Sequence, residues 1–124
     1  MTPGHGVLVS NQTQNTVLCQ QAMVADTTLT RLFGLLGRRP LGPTEGLLIR
    51  PSSGVHTWGM TFAIDVVALD RANRVLGVWR AVKPWHLCGL GLKTRSILEL
   101  ASGTIDRSHT EAGDQLHIAP IDAA

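Results

Sequence analysis

The stretch VHTWGMTFAIDVVALD, Val55 to Asp70, is the longest apolar run in the 124-residue chain, and its two halves read differently. Ile64 to Leu69 has almost no polar alternation, the pattern of a strand buried on both faces, and predicts the centre of a sheet. In the first half, an extended backbone directs His56, Trp58 and Met60 to one side and Val55, Thr57 and Gly59 to the other. Asp65 interrupts the apolar half. An unpaired carboxylate in such a strand costs several kcal/mol or takes up a proton, so Asp65 needs a partner or an opening to water. His56 and the arginines Arg50, Arg80 and Arg95 are the candidates.

Working outward toward the C-terminus, the polar turn Arg71 to Arg74 leads into VLGVWRAV, Val75 to Val82. Strict alternation there places Val75, Gly77, Trp79 and Ala81 on one face and Leu76, Val78, Arg80 and Val82 on the other, and a meander is the simplest topology. Lys83 to Thr94 contains Pro84, Gly89 and Gly91 and reads as a loop over one end of the sheet. SILELA, Ser96 to Ala101, reads as a second central strand. A single helical turn around Gly103 to Ser108, a polar AGD turn and a last strand at Gln115 to Ala119 complete this half.

Toward the N-terminus, Val7 to Ser10 and Thr16 to Val24 flank the polar stretch Asn11 to Asn15, a hairpin signature. Asp26 or Thr27 can cap an amphipathic helix on which Leu29, Leu32, Phe33 and Leu36 recur until Gly37 ends the pattern; its apolar stripe is read as cover for the sheet. Gly37 to Gly46 is a loop, Gly46 to Arg50 a short strand closed by Pro51, and Pro51 to Gly54 a second loop. Short strands joined by short turns must protect their edges, which favours closure. The expected fold is one domain over residues 1–124, α+β and predominantly antiparallel β: a compact barrel-like fold of seven or eight short strands with one amphipathic helix.

Composition removes several function classes. Hydrophobic residues at 44% and charged residues at 16% fit a globular core and argue against disorder. A net charge of +2, with no basic run longer than Arg38 and Arg39, argues against a nucleic-acid partner. No segment has the apolar length to span a bilayer, and MTPGHGVLVSNQTQ lacks an export signal's features, so a cytoplasmic protein without a membrane partner is expected. Cys19 and Cys88 show no paired spacing and are read as buried free thiols.

Standard catalytic signatures fail on inspection. HLCGLGLKT, His86 to Thr94, resembles a phosphate loop, but Leu92 rather than glycine precedes Lys93, and Thr94 stands where a dinucleotide fingerprint needs its third glycine. The histidines His5, His56, His86, His109 and His117 have no metal-ligand spacing, so neither a metal nor another cofactor is expected. Two readings of His56 and Asp65 compete. In one, Asp65 orients His56 beside a pocket floored by Trp58 and Met60, as general base or polar anchor. In the other, the preferred one for Asp65, its carboxylate is an internal staple. Trp85, beside Pro84 in a glycine-rich loop, serves equally as a flat platform for a ligand or a plug for the barrel end.

These blocks resemble the bacterial and archaeal family of domain of unknown function 192, over about Ala25 to Ile118. RLFGLLGRRPLGPTEGLLIRP looks like its opening motif, with Arg31, Gly34 to Arg38 and Glu45 in place; VHTWGMTFAIDVVALD resembles its central block, with His56, Thr57, Met60, Asp65, Leu69 and Asp70. KPWH, LELASGT and AGDQL look like later landmarks, carrying Pro84, Trp85, Glu99, Gly103, Gly113 and Asp114. The chain departs from that pattern at Gly59, where an aromatic is usual, at Ala63, where proline is usual, and at Ser52, often a cysteine. The resemblance implies a compact β-rich fold and no established activity.

The functional expectation is a non-enzymatic ligand-binding or accessory domain for an unidentified small molecule, sugar or peptide, with its site at His56, Thr57, Trp58, Met60, Pro84 and Trp85. The first alternative is a small hydrolase or transferase using His56 with Asp65 or Glu99 as acid and base; the second is a protein–protein interaction module. Oligomeric state is left open.

Overall fold

A computed structural model describes residues 6–25, 41–56, 62–83 and 86–121. Along these run β1 (Gly6–Asn11), β2 (Thr16–Ala25), β3 (Glu45–Ile49), β4 (Val55–His56), β5 (Ile64–Leu69), β6 (Val75–Val82), β7 (Leu87–Cys88), β8 (Ser96–Ala101), the short helix α1 (Thr104–Ser108) and β9 (Leu116–Pro120). The helix expected from Asp26 to Gly37 lies outside the described residues.

Seven strands form one sheet in the order β6-β5-β8-β3-β2-β1-β9, and β4 pairs with β7 in a separate two-stranded ladder. All the pairings are antiparallel except β2 with β3. The β5–β6 hairpin follows the expected meander, but β8 then inserts on the other side of β5, between it and β3. Ile64 to Leu69 is buried throughout, as its unbroken apolar pattern demands, yet it is second from the edge rather than central. The expected loop at Lys83 to Thr94 is also interrupted, because Leu87 and Cys88 pair with His56 and Val55.

The sheet curls into a half-barrel whose edge strands β6 and β9 meet at one end. Arg74 bridges Gln115, the Val75 amide donates to the Asp114 carbonyl at 2.8 Å, and the Leu116 amide donates to the Asn73 carbonyl at 3.0 Å. This local closure covers part of both edges, which would otherwise offer unpaired backbone groups.

Each face of the sheet carries its own apolar cluster. The enclosed face gathers Val9, Leu18, Cys19, Leu48, Val67, Leu98, Leu100 and Leu116 from strands on both sides of the curl, with Ile105 of α1 among them. The opposite face gathers Leu47, Ile49, Ile64, Val66, Ala68, Cys88 and Ile97, with Phe62 and Trp79 packed against them. Burial on both faces explains why β3, β5 and β8 show little polar alternation.

Strand β6 departs from strict alternation. Its pairing with β5 slips once at Leu76, between the Ala68–Gly77 and Leu69–Val75 pairs, and again at Arg80 and Ala81, which together oppose Asp65. Each extra residue reverses the parity of the strand. Val75 and Val78 therefore pack on the enclosed face while Trp79 and Val82 share the other, a partition that unbroken alternation does not give.

Candidate functional site

Asp65 has no exposed surface, and its carboxylate is saturated by backbone donors. Oδ1 accepts from the Ala81 amide at 2.8 Å; Oδ2 accepts from the amides of Gly103 at 3.1 Å and Ile105 at 2.8 Å. All three donors are groups that the local chain cannot satisfy. Ala81 belongs to the β6 bulge and has φ 48°, and Gly103 and Ile105 lie in the first turn of α1, where helix amides have no intrahelical acceptor. Gly103 sits at the helix N-cap with φ 97°, a conformation that glycine adopts without steric cost, and α1 has no side-chain cap of its own. Asp65 therefore caps a helix from the neighbouring sheet and ties the bulge to it.

Glu99 is equally buried but belongs to the other face. On β8 it pairs with Leu47 of β3 and Val66 of β5, and Val66 in turn pairs with Trp79 of β6. The resulting row, Leu47–Glu99–Val66–Trp79, runs across four strands and carries one carboxylate. Trp79 is half-buried, and its ring lies over Gly77: a Cβ on Gly77 would come within 2.9 Å of the indole. Beyond Trp79 opens a cleft of about 480 Å³ that follows Val78 to Lys83 and reaches His86 and Cys88. Polar groups at its rim include Arg80, paired with Asp106 at 2.7 Å, and His86, whose Nδ1 lies 2.9 Å from the Lys83 carbonyl oxygen.

Cys88 lies where this cleft meets the buried face. Burial pushes its thiol up to about 11, and the negative charge of Glu99 adds to the shift. Cys19 is held up to about 12 by burial, partly offset by a hydrogen bond from the Val9 backbone. Both cysteines are free and reside in clusters on opposite faces of the sheet. Neutral thiols of this kind are poor nucleophiles at physiological pH.

The β4–β7 ladder brings the two sequence blocks of the expected site together, since Val55 pairs with Cys88 and His56 with Leu87. Thr57, Trp58, Met60, Pro84 and Trp85 lie outside the described residues. Of the proposed acid–base groups, Asp65 faces α1 across the sheet from Glu99, while the His56 backbone stands next to the strand that carries Cys88. Among the described residues no group of three or more His, Cys, Asp or Glu could hold a metal ion. No helix among them is long and apolar enough to cross a membrane.

A second buried polar cluster escaped the sequence reading. Asn11, expected in a loop, ends β1 fully buried; its Nδ2 donates to Thr110 Oγ1 at 3.1 Å and to Asp114 Oδ2 at 2.9 Å. The Glu111 amide donates to Asp114 at 3.0 Å, and Gln14 Nε2 reaches the same carboxylate at 3.2 Å. Burial pulls the Asp114 carboxyl upward, but these donors outweigh it and hold its pKa below the ordinary value. Every polar group named is satisfied by another, so the cluster locks the β1–β2 hairpin to the chain after α1. Its members are about a hundred residues apart, and no local pattern announces such a pairing.

Comparison with known proteins agrees with this architecture. The chain is 27% identical over 112 residues to a UPF0127 protein of Pyrococcus horikoshii, covering 88% of this chain and 96% of that one. It is 29% identical over 117 residues to a UPF0127 protein of Thermococcus sibiricus, covering 88% and 73% respectively. A crystal structure of a protein of unknown function from Novosphingobium aromaticivorans superposes with a TM-score of 0.76 at 20% identity, over 90% of this chain and 83% of that one, and shows the same fold. Residues 8–118 match the model of domain of unknown function 192, described as "Uncharacterized ACR", and the chain belongs to that family.

Proposed function

We propose that the protein is a non-enzymatic binding domain that takes a small polar molecule, a sugar or a peptide where the β4–β7 ladder meets the Glu99 row. The observation that carries this reading is the row itself: a buried carboxylate, an apolar stretch and a half-buried indole lead to an open cleft of about 480 Å³. An apolar wall with few polar groups is the usual make-up of a ligand site, and a flat indole at its mouth suits a sugar ring or a peptide side chain. The raised Cys88 pKa also favours binding over covalent chemistry, because it removes the thiolate that a nucleophilic mechanism would use.

Titrating panels of saccharides, small amines and short peptides while following tryptophan fluorescence tests the proposal. A saturable change produced by one class, and lost or much reduced in Trp79→Phe, supports it. Silence from all classes, or a response unaffected by Trp79→Phe, counts against the cleft.

The acid–base alternative is better supported for His56 with Glu99 than with Asp65, because among the described residues the hydrogen bonds that Asp65 accepts come from backbone amides and it faces away from Glu99. A screen of hydrolase and transferase substrates with the parent protein and His56→Ala decides that reading: equal background rates end it.

A further inference from the structure

The segment that fails as a phosphate loop has a different and well-defined form. The Thr94 amide donates to the Gly91 carbonyl at 3.3 Å, closing a turn with Leu92 and Lys93 at its centre, and the buried Thr94 hydroxyl donates to the Gly89 carbonyl at 3.0 Å. The loop is thus braced from beneath. At its tip Leu92 is 99% exposed, and Leu90 beside it is 65% exposed. A leucine held outward by a braced turn has no role in the core.

Exposed cations lie at the same end of the sheet. Lys93 and Arg95 belong to the loop and are exposed. The Arg95 carbonyl accepts from the Ser52 amide at 2.9 Å and its amide donates to the Leu69 carbonyl at 2.8 Å, which brings exposed Arg50 and Arg71 to the same end of the sheet. The nearby Asp70 carboxylate is turned inward on its own loop, accepting from the Ala72 and Arg74 amides at 2.9 Å each. At the base of the turn a cleft of about 270 Å³ is lined by Ser52, Ser53, Thr94 and Arg95, with Pro51 at its edge.

We propose that the Gly89–Arg95 turn is a membrane-contact element that inserts Leu92 into an anionic phospholipid surface while the cations at this end of the sheet, with Ser53, meet lipid phosphates. A projecting apolar tip with basic residues in its loop and at the same end of the sheet suits a lipid interface, which yields to the tip and needs no shaped pocket. A protein partner would need a matching cavity, and a soluble polyanion would make no use of the leucines. The lack of a spanning segment does not bear on surface contact.

Co-sedimentation of the full chain with vesicles of phosphatidylglycerol and phosphatidylcholine, against vesicles of phosphatidylcholine alone, tests the proposal. The parent protein binds the anionic vesicles at least about tenfold more tightly. Leu92→Ser, at a fully exposed position that leaves the fold intact by thermal melt, weakens binding about tenfold. Lys93→Gln and Arg95→Gln each weaken it about fivefold. No preference for anionic vesicles overturns the proposal. So does equal binding by Leu92→Ser, equally tight binding to soluble polyglutamate, or complete release by millimolar inorganic phosphate, which would mark a polyanion or free-phosphate site.

Discussion

Asp65 and Glu99, which have no exposed surface, project from opposite faces of the same sheet, although Asp65 pairs with Leu100, the immediate neighbour of Glu99. One residue of register separates two environments. Asp65 meets the amides of Ala81, Gly103 and Ile105, whereas Glu99 lies in a row with Leu47, Val66 and Trp79. The first arrangement holds a bulge and a helix in place; the second belongs to the face with the open cleft.

Asp65→Asn exchanges one of two acceptor oxygens for a donor that faces a backbone amide. It lowers stability by about 3 kcal/mol in urea unfolding, as expected when buried donors lose an acceptor. A loss below about 1 kcal/mol would remove Asp65 from the capping role. Ala81→Gly has the opposite sign: relieving φ 48° outweighs the added backbone freedom and raises the urea midpoint slightly.

Cys88 and Cys19 react with iodoacetamide at pH 7.5 at least about 100-fold more slowly in the native protein than after unfolding. Ordinary thiols titrate near 9.0, so the unfolded chain ionises first, and the thiols' contribution to stability is fully present below pH 9.0 and is lost as pH rises toward about 12. Glu99→Gln removes the secondary cause of the Cys88 shift: its alkylation profile moves below pH 11 but stays above pH 9.0, because burial is the larger cause. An unmoved profile would show that Glu99 does not act on Cys88.

Asp114 sets the acid side. Its folded pKa is depressed, so its contribution is fully present above the ordinary carboxylate range and is lost as pH falls through the folded value. Asp114→Asn flattens this part of the stability profile, and Asn11→Ala moves the acid transition to higher pH. Parallel profiles for parent and Asp114→Asn would contradict the assignment.

Much of the fold was legible because it is local. The apolar runs marked β3, β5 and β8, Gly and polar turns marked most boundaries, and Asp65 stood out as a carboxylate in need of donors. What could not be read depends on distant partners. Leu76 and Ala81 look like ordinary strand positions until β5 sets their register, and Asn11 looks like a loop residue until Asp114 and Thr110 arrive beside it. Glu99 is visible in the sequence as a possible acid–base partner of His56. Its row with Trp79 exists only because β5 lies between β8 and β6.

The Glu99 face is proposed to bind a ligand while Asp65 serves the fold. Backbone amide NMR of the labelled protein, titrated with the ligand class that alters tryptophan fluorescence, separates the two roles in the parent and in Glu99→Gln. Saturable shifts are expected to concentrate at Trp79, Val82, His86 and Cys88, with affinity reduced by Glu99→Gln and the remaining spectrum unchanged. Shifts centred on α1 and the Asp65 donors, or undiminished binding in Glu99→Gln, would contradict that proposal.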